Sequence, residues 1–382
     1  MKTLTFITNL VNHHQLPLAD EFYKILGQNY HYIATEPIYD WLVKGGYDAT
    51  LDRPYIIRAY ESPEKEKLAK ELVDNSDVVI IGDAPKKYVR RRQMRNKMTF
   101  HFNERWFKNP DFKKYLKIGI LGGIFKNHFI YRFSRAYMLC ASAFTAEDVK
   151  RVWCYPGKCF RWGYFTAVPE KIEVETQKPG VSTSKTAPHI MWCSRFLRLK
   201  HPELPVKLAA MLKADGYKFV LDMYGSGEEL EATKALAQDL CVDDIVSFCG
   251  NMPNKEILAE MRQHQIFLFT SDRGEGWGAV LNESMSNGCA VVASNEIGAV
   301  PFLIKDGVNG MIFESRNLQS LYSKVKYLLD NPEQISMLSK EAMRTMQTEW
   351  SPQSAAANFI SLVDSLESKR ENMIKNGPCS SI

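Results

Sequence analysis

The sequence predicts an α/β protein of two domains, its second half built on a parallel sheet covered by helices on both faces. Three observations carry that reading. At 382 residues the chain exceeds the roughly 150 residues that one core usually organises. Its 45% apolar and 24% charged residues are an ordinary globular composition, which excludes disordered, collagen-like and coiled-coil classes. From residue 189 onward, short apolar runs of strand length alternate with segments of helix length.

Taken in order, Thr3 to Thr8 reads as an opening strand and Leu18 to Leu26 as a helix. Asp77 to Gly82 is a β-branched run bounded by Ser76 and Gly82-Asp83, the pattern of a buried strand. Val168 to Pro188 is rich in Pro, Ser, Thr, Lys and Glu without an apolar period, which marks a linker. Strands follow at His189 to Ser194, Lys218 to Tyr224, Ile245 to Cys249, Ile266 to Thr270 and Cys289 to Ser294. Trp350-Ser-Pro to Leu366 reads as a terminal helix, and the polar chain after Lys369 as a frayed tail. The expected division is residues 1–168, a linker over 169–188, residues 189–350, a terminal helix over 351–367 and a flexible tail over 368–382.

The net charge of +5 is unevenly placed. Between Lys86 and Arg135 stand 15 Lys and Arg against Glu104 and Asp111, which is +13 and leaves −8 for the rest. Phe100, Phe102, Trp106, Phe107, Phe112, Tyr115, Phe125, Phe129 and Tyr131 interleave with these cations. Such a segment suits an anionic membrane surface, because clustered Lys and Arg each contribute about 1 kcal/mol near acidic lipid and aromatic rings favour the interface. A solvated basic face or a phosphate-backbone contact remains open on the same residues. The longest apolar run, Ile118 to Phe125, is well short of the roughly 18 residues that span a bilayer, so neither a transmembrane helix nor a signal peptide is expected. The eight cysteines have no metal-ligand spacing, which fits reduced thiols and a cytoplasmic protein, peripheral at most on the inner membrane face.

The most informative stretch runs from Ser271 through Glu275-Gly276-Trp277-Gly278-Ala279 to Glu283. A strand ends at Thr270, glycines 274, 276 and 278 allow a tight loop, and a helix opens near Ala279. Backbone N–H groups at that helix start suit an anion. Glu275 on the loop and Glu283 in the helix suit hydrogen bonds from the hydroxyls of two sugars.

Glu275 and Glu283 within EGWGAVLNES, followed by VVAS, resemble the signature of family 4 glycosyltransferases of the GT-B fold. The resemblance implies two Rossmann-like domains facing across a cleft, with a C-terminal helix crossing back to the first. It implies that Glu283 holds the ribose of a nucleotide-sugar, Glu275 the donor hexose, and the backbone of Gly276, Trp277, Gly278 and Ala279 the sugar and phosphate. Arg195 and Lys200 resemble the cation pair that clamps the donor diphosphate, with Arg198 in reserve; fixed cations there offset the charge that gathers on a departing diphosphate. Gly225 and the turn Gly250-Asn251-Met252 are carried over as nucleotide contacts. Asn9, His13 and His14 replace the family's glycine-rich first loop and are the acceptor-side candidates; His101 is a further catalytic candidate and Asp83 has similar standing. No Asp-x-Asp pair of the diphosphate-metal kind ends a strand, so neither a metal nor another cofactor is expected.

The expected activity is retaining, metal-independent transfer of a hexose from a nucleotide diphosphate sugar, UDP- or GDP-linked, to a saccharide or lipid-linked saccharide in surface polysaccharide synthesis. No nucleic-acid partner is expected. A nucleotide-sugar epimerase of the same fold and a non-catalytic membrane- or nucleic-acid-binding protein are the rivals.

Overall fold

The computed structural model describes residues 1–39, 52–169 and 187–382. The chain divides into two compact units, one formed by Met1–Ala167 with Glu349–Ile382, the other by Val168–Thr348. Of the linker expected over 169–188, residues 170–186 lie outside the described residues.

The first unit is built on β1 (Leu4–Thr8), β2 (Tyr30–Ala34), β3 (Ile56–Arg58), β4 (Val78–Ile81), β5 (Thr99–Asn103), β6 (Ala136–Cys140) and β7 (Cys159–Arg161). These form one parallel sheet in the order β3-β2-β1-β4-β5-β6-β7. Helices cover both faces, so the central strands have no solvent side: Val78, Val79, Ile80 and Ile81 are all fully buried. The strand order turns between β1 and β4, which opens a crevice at their carboxyl ends.

The second unit repeats the plan with β8 (His189–Cys193), β9 (Val220–Tyr224), β10 (Val246–Gly250), β11 (Ile266–Phe269), β12 (Ala290–Ser294) and β13 (Met311–Phe313). Its order is β10-β9-β8-β11-β12-β13, again all parallel, with the turn of order between β8 and β11. Trp192, Phe196, Leu208, Met223, Leu268 and Val292 are among the residues of its core.

The first helix, α1 (Leu16–Leu26), lies against the terminal helix of the chain. Pro352 occupies the first turn of that terminal helix and Ser351 caps it by accepting the Ser354 N–H at 3.1 Å. Its Phe359 packs edge-on against Phe22 of α1 and Phe100 of β5, with ring centres 5.6 and 4.9 Å apart.

Two expectations need correction. The tail is not frayed: Cys379 and Ser380 are buried, and the Arg161 N–H donates to the Ser380 carbonyl at 2.8 Å while Cys379 N–H returns to Arg161 at 2.7 Å. Strand β7 is the sheet edge, and its otherwise unpaired backbone groups draw in a polar segment with no apolar pattern of its own.

The basic aromatic segment is not one uniform face. In α2 (Lys87–Met94), Arg92 is fully buried and donates to the carbonyls of Val73, Ser76, Asp77 and Met98. Lys86 is also enclosed, and burial lowers its amine to about 8. Phe100, Phe102, Phe107 and Tyr131 are core residues. What faces solvent is α3 (Ile118–Asn127), a helix with no buried residue, where Ile118 is 89% and Phe125 55% exposed, with the nearby Phe133 at 79%. Exposed Lys113, Lys114, Lys117 and Lys126 surround it.

Candidate functional site

In the second unit, the loops that leave β8, β9, β10 and β11 at their carboxyl ends bring most of the expected donor residues together. The loops are tied by main chain: Ser194 N–H donates to Tyr224 at 3.1 Å, Gly225 N–H to Gly250 at 2.8 Å and Phe196 N–H to Ser226 at 2.8 Å. Asn251 Nδ2 donates to Ser226 Oγ at 2.8 Å. This lacing holds the turns bearing Arg195, Gly225 and Gly250 beside one another.

The centre of the site is an ion pair between Lys200 and Glu275, both largely withdrawn from water, with side chains 11% and 16% exposed. Ser271 Oγ also donates to the Glu275 carboxylate at 3.1 Å, and the Glu275 N–H to the Asp272 carbonyl at 3.0 Å. Lys200 is anchored from behind by the Thr270 hydroxyl, which donates to its carbonyl at 2.6 Å and accepts from Trp192 Nε1 at 2.8 Å. Arg195 follows β8 and is exposed, as is Arg198.

Gly278 caps α5 (Ala279–Ser286) with a left-handed φ of 90°, and a Cβ there would stand 2.5 Å from the Phe269 ring. Only glycine lets the helix begin this close to the end of β11, which aims its positive N-terminal end at the loop carrying Glu275. Here α4 is the preceding helix, Asn254–Gln263. Glu283 lies in α5, 7% exposed, and accepts from Asn254 Nδ2 of α4 at 2.9 Å. Burial raises its carboxyl to about 7 against that hydrogen bond, and burial beside this carboxylate pushes the Cys193 thiol up to about 12. Trp277 differs from a ligand-facing residue: its side chain is fully buried and donates to Asn282 Oδ1 at 2.8 Å, so only its backbone belongs to the loop.

Sequence reasoning missed Thr270, Ser271, Asp272 and His201. His201 holds the two arms of the site together. Its backbone is left-handed at φ 50°, its Nδ1 lies 2.9 Å from Glu203 and its Nε2 3.1 Å from Asp272, whose other oxygen accepts the Gly274 N–H at 2.8 Å. Two carboxylates on both ring nitrogens call for the imidazolium. Burial opposes the charge, yet the bonds to Asp272 and Glu203 carry the group up to about 9. Lys207 beside Glu203 and Arg316 beside Asp272 complete the charges around it. The folded pKa lies above the unfolded value of about 6.5, so this clamp contributes fully below that value and is lost as pH rises through about 9. Stability, and with it the melting temperature, is therefore expected to fall as pH rises from 8 to 10, by about 1.4 kcal/mol, a decline that a His201→Gln variant should not show.

In the first unit, a cavity of about 520 Å³ opens at the carboxyl ends of β1 and β4, lined by Asn9, Asp83, Glu104, Arg105, Lys108 and Tyr164 among others. Asn9 and Asp83 line it, while His13 and His14 are half-buried in the loop before α1, their rings 3.9 Å apart, and do not. The cationic wall was missed: Arg105 stacks over the Phe144 ring at 4.6 Å, and Lys108 pairs with Glu104 at 2.8 Å. His101 does not reach the surface. It is fully buried in β5, 2.8 Å from Gln93 Nε2 and packed on His128, and burial with the charges of His128 and Lys86 lowers it well below the usual range. A strand covered on both faces turns every side chain inward, and the catalytic expectation for His101 is withdrawn.

Two Rossmann-like parallel sheets, each with its crevice at a change of strand order, are the architecture of the GT-B glycosyltransferases. HepE of Anabaena, solved in complex with UDP, superposes with a TM-score of 0.66 at 14% identity, covering 96% of this chain and 100% of that one. Residues 173–345, most of the second unit, match the family Glycosyl transferases group 1. It is 27% identical over 151 residues to the poly(glycerol-phosphate) alpha-glucosyltransferase of Bacillus subtilis strain 168, covering 40% of this chain and 22% of that one. It is 25% identical over 137 residues to the putative colanic acid biosynthesis glycosyltransferase WcaL of Salmonella typhimurium, 35% of this chain and 34% of the relative. The chain thus spans about a fifth to a third of the length of these curated relatives.

Proposed function

We propose that the protein is a retaining, metal-independent glycosyltransferase that moves a hexose from a UDP- or GDP-sugar to a saccharide or lipid-linked saccharide in surface polysaccharide synthesis. The observation that carries this is the Lys200–Glu275 pair at the β8/β11 crevice, set before the N-terminal end of the helix that bears Glu283. Glu275 neutralises Lys200. A donor diphosphate offers Lys200 a stronger anionic partner, which frees Glu275 to accept a hexose hydroxyl. Lys200, Arg195 and the α5 N-terminus then stabilise the departing diphosphate without a metal. Attack on the same face as departure needs no protein nucleophile, so Glu275 positions the sugar. Glu283 accepts from the ribose, and the cavity of the first unit, walled by Asn9, Asp83, Arg105 and Lys108, takes the acceptor. The UDP bound by HepE supports the donor class, and the colanic acid biosynthesis named for WcaL supports the acceptor class.

Thermal melting with UDP, GDP, ADP and CMP and their sugars tests the reading. One nucleotide class is expected to raise the melting temperature with chelator present, and Glu283→Gln to lose that rise. Glu283 also fixes a sign. Because its folded pKa stands above the unfolded value, ionising it costs stability as pH rises toward about 7, so unliganded Glu283→Gln should be more stable than wild type above that pH, by about 3 kcal/mol. No shift with any nucleotide overturns the donor assignment.

The exposed apolar helix α3 and its ring of lysines support adsorption to an anionic membrane, where a lipid-linked acceptor resides. Among the described residues no helix is long and apolar enough to cross a membrane. Sedimentation with vesicles containing acidic lipid should be salt-removable and fall about tenfold in a Lys113, Lys114, Lys117, Lys126→Gln variant. Binding that survives these changes overturns it. The Lys86–Lys97 cluster is unsuited to the test, because Arg92 and Lys86 are structural.

A further inference from the structure

We infer that the second unit carries a divalent transition-metal site of the zinc, cobalt and nickel class, formed by His189, Asp222 and His264. The inference goes beyond glycosyl transfer and does not depend on it. His189 opens β8, Asp222 lies on the neighbouring β9 and His264 follows α4 directly, so three rigid elements supply one donor each. His189 Nδ1 lies 3.2 Å and His264 Nε2 3.0 Å from the same oxygen, Oδ2 of Asp222, and all three atoms fall within 4.8 Å of one another. Donors each bound at about 2.0–2.2 Å to one ion stand about 3.0–3.4 Å apart at tetrahedral or octahedral angles, which matches both nitrogen-to-oxygen distances here.

The hydrogen bonding behind the cluster fixes its polarity. His264 Nδ1 is 2.7 Å from the Glu260 carbonyl, which only accepts, so Nδ1 carries a hydrogen and Nε2 is the ring nitrogen left to face Asp222, as a donor when protonated and as a ligand when not. The 3.0 Å contact places a positive charge between Nε2 and the carboxylate oxygen, either the proton of an imidazolium or a metal ion that takes its place. A ligating histidine whose second nitrogen donates to a carbonyl is the usual arrangement behind a metal. The neighbouring chain is locked as well. Gln265 accepts the His189 N–H on Oε1 at 2.7 Å and returns its own N–H to the His189 carbonyl at 3.0 Å, and Tyr224 donates to the Glu260 side chain at 3.1 Å.

His264 is buried while 46% of the His189 side chain is exposed, so the site has a rigid floor and an open side for ion entry and for water as a further ligand. Two imidazoles and one carboxylate suit Zn²⁺, Co²⁺ or Ni²⁺ and not Mg²⁺ or Ca²⁺, which take oxygen ligands. His189 stands at the amino end of β8, whereas Lys200 and Glu275 belong to loops at the carboxyl ends of the strands. The ion would clip β8, β9 and α4 together and take no part in transfer.

Full-length protein dialysed against chelator and then titrated with Co²⁺ tests this. One equivalent of Co²⁺ is expected to bind with visible ligand-field bands of the nitrogen and oxygen type, to be displaced by Zn²⁺, and Zn²⁺ is expected to raise the melting temperature by about 5 °C. Asp222→Asn and His264→Gln are expected to weaken Co²⁺ binding at least about tenfold. His189→Ala sits at an exposed strand start and keeps the fold, checked by near-ultraviolet circular dichroism, so it decides the matter if either buried variant fails to fold. Absence of a stoichiometric cobalt band overturns the site. So does a thiolate-to-cobalt band, which would place the ion at a cysteine, or wild-type affinity in His189→Ala, which would place it away from this cluster and leave an ion pair as the reason His189, Asp222 and His264 meet.

Discussion

A Lys200→Ala variant is expected to turn over about two to three orders of magnitude more slowly than wild type while melting within a few degrees of it. The rate loss follows from the role proposed for the ammonium. As the bond from sugar to phosphate lengthens, negative charge accumulates on the leaving diphosphate, and a fixed donor in a water-poor site is worth about 3–4 kcal/mol at that moment. Lys200 is fixed in that sense: its carbonyl is held by Thr270, its N–H donates to Leu197 at 2.8 Å, and its ammonium lies 5.9 Å from the centre of the Phe269 ring. Its partner sharpens the expectation, because removing the cation leaves Glu275 largely buried without its counter-charge where the proposed anionic donor would enter. Binding and turnover should therefore both suffer, whereas Glu275→Gln, which keeps the hydrogen-bonding shape, should mainly raise KM for the sugar donor. Lys200→Arg restores charge but not length, and should recover part of the rate. Steady-state kinetics with the nucleotide-sugar selected by thermal melting measure all three. A Lys200→Ala kcat within about threefold of wild type would remove Lys200 from the chemistry.

The second unit was more legible in the sequence than the first for a physical reason. Its strands, such as Ile266–Phe269 and Ala290–Ser294, are continuous apolar runs because both faces of a parallel sheet are covered. In the first unit β2 and β5 carry His31 and Thr99-Phe100-His101, and a buried polar residue such as His101 disguises a strand and invites a functional reading that packing rules out. The Glu275–Glu283 spacing was readable because it lies in one continuous segment. The His201 clamp and the Arg105 wall were not, since each depends on side chains 71 or 39 positions from their partners in sequence, His201 on Asp272 and Arg105 on Phe144. The basic segment shows the converse error. Charge counted along the chain could not distinguish Arg92, which binds four carbonyls inside the fold, from the lysines around α3.

Gly225→Ala is expected to destabilise the second unit by about 3–5 kcal/mol and lower its melting temperature by about 10 °C, with loss of nucleotide binding. Two costs add here. The residue has φ 128°, a conformation that L side chains rarely adopt, and a Cβ would lie 1.9 Å from the Ser194 carbonyl oxygen and 2.9 Å from its carbon. Neither neighbour is a flexible side-chain tip. The Ser194 backbone is already bonded to Tyr224, and Gly225 itself to Gly250, so a methyl group must separate the ends of β8 and β9 or turn the peptide that leads into Arg195. Gly250→Ala is the internal control, because Gly250 shares a positive φ of 71° but a Cβ there meets nothing within 4 Å. It should cost about 1 kcal/mol, the backbone preference alone. Chemical denaturation and nucleotide melting on the two variants separate collision from conformational preference. If they prove equally stable, the close approach of the β8 and β9 loops does not shape the site, and the placement of Arg195 must depend on something other than this turn.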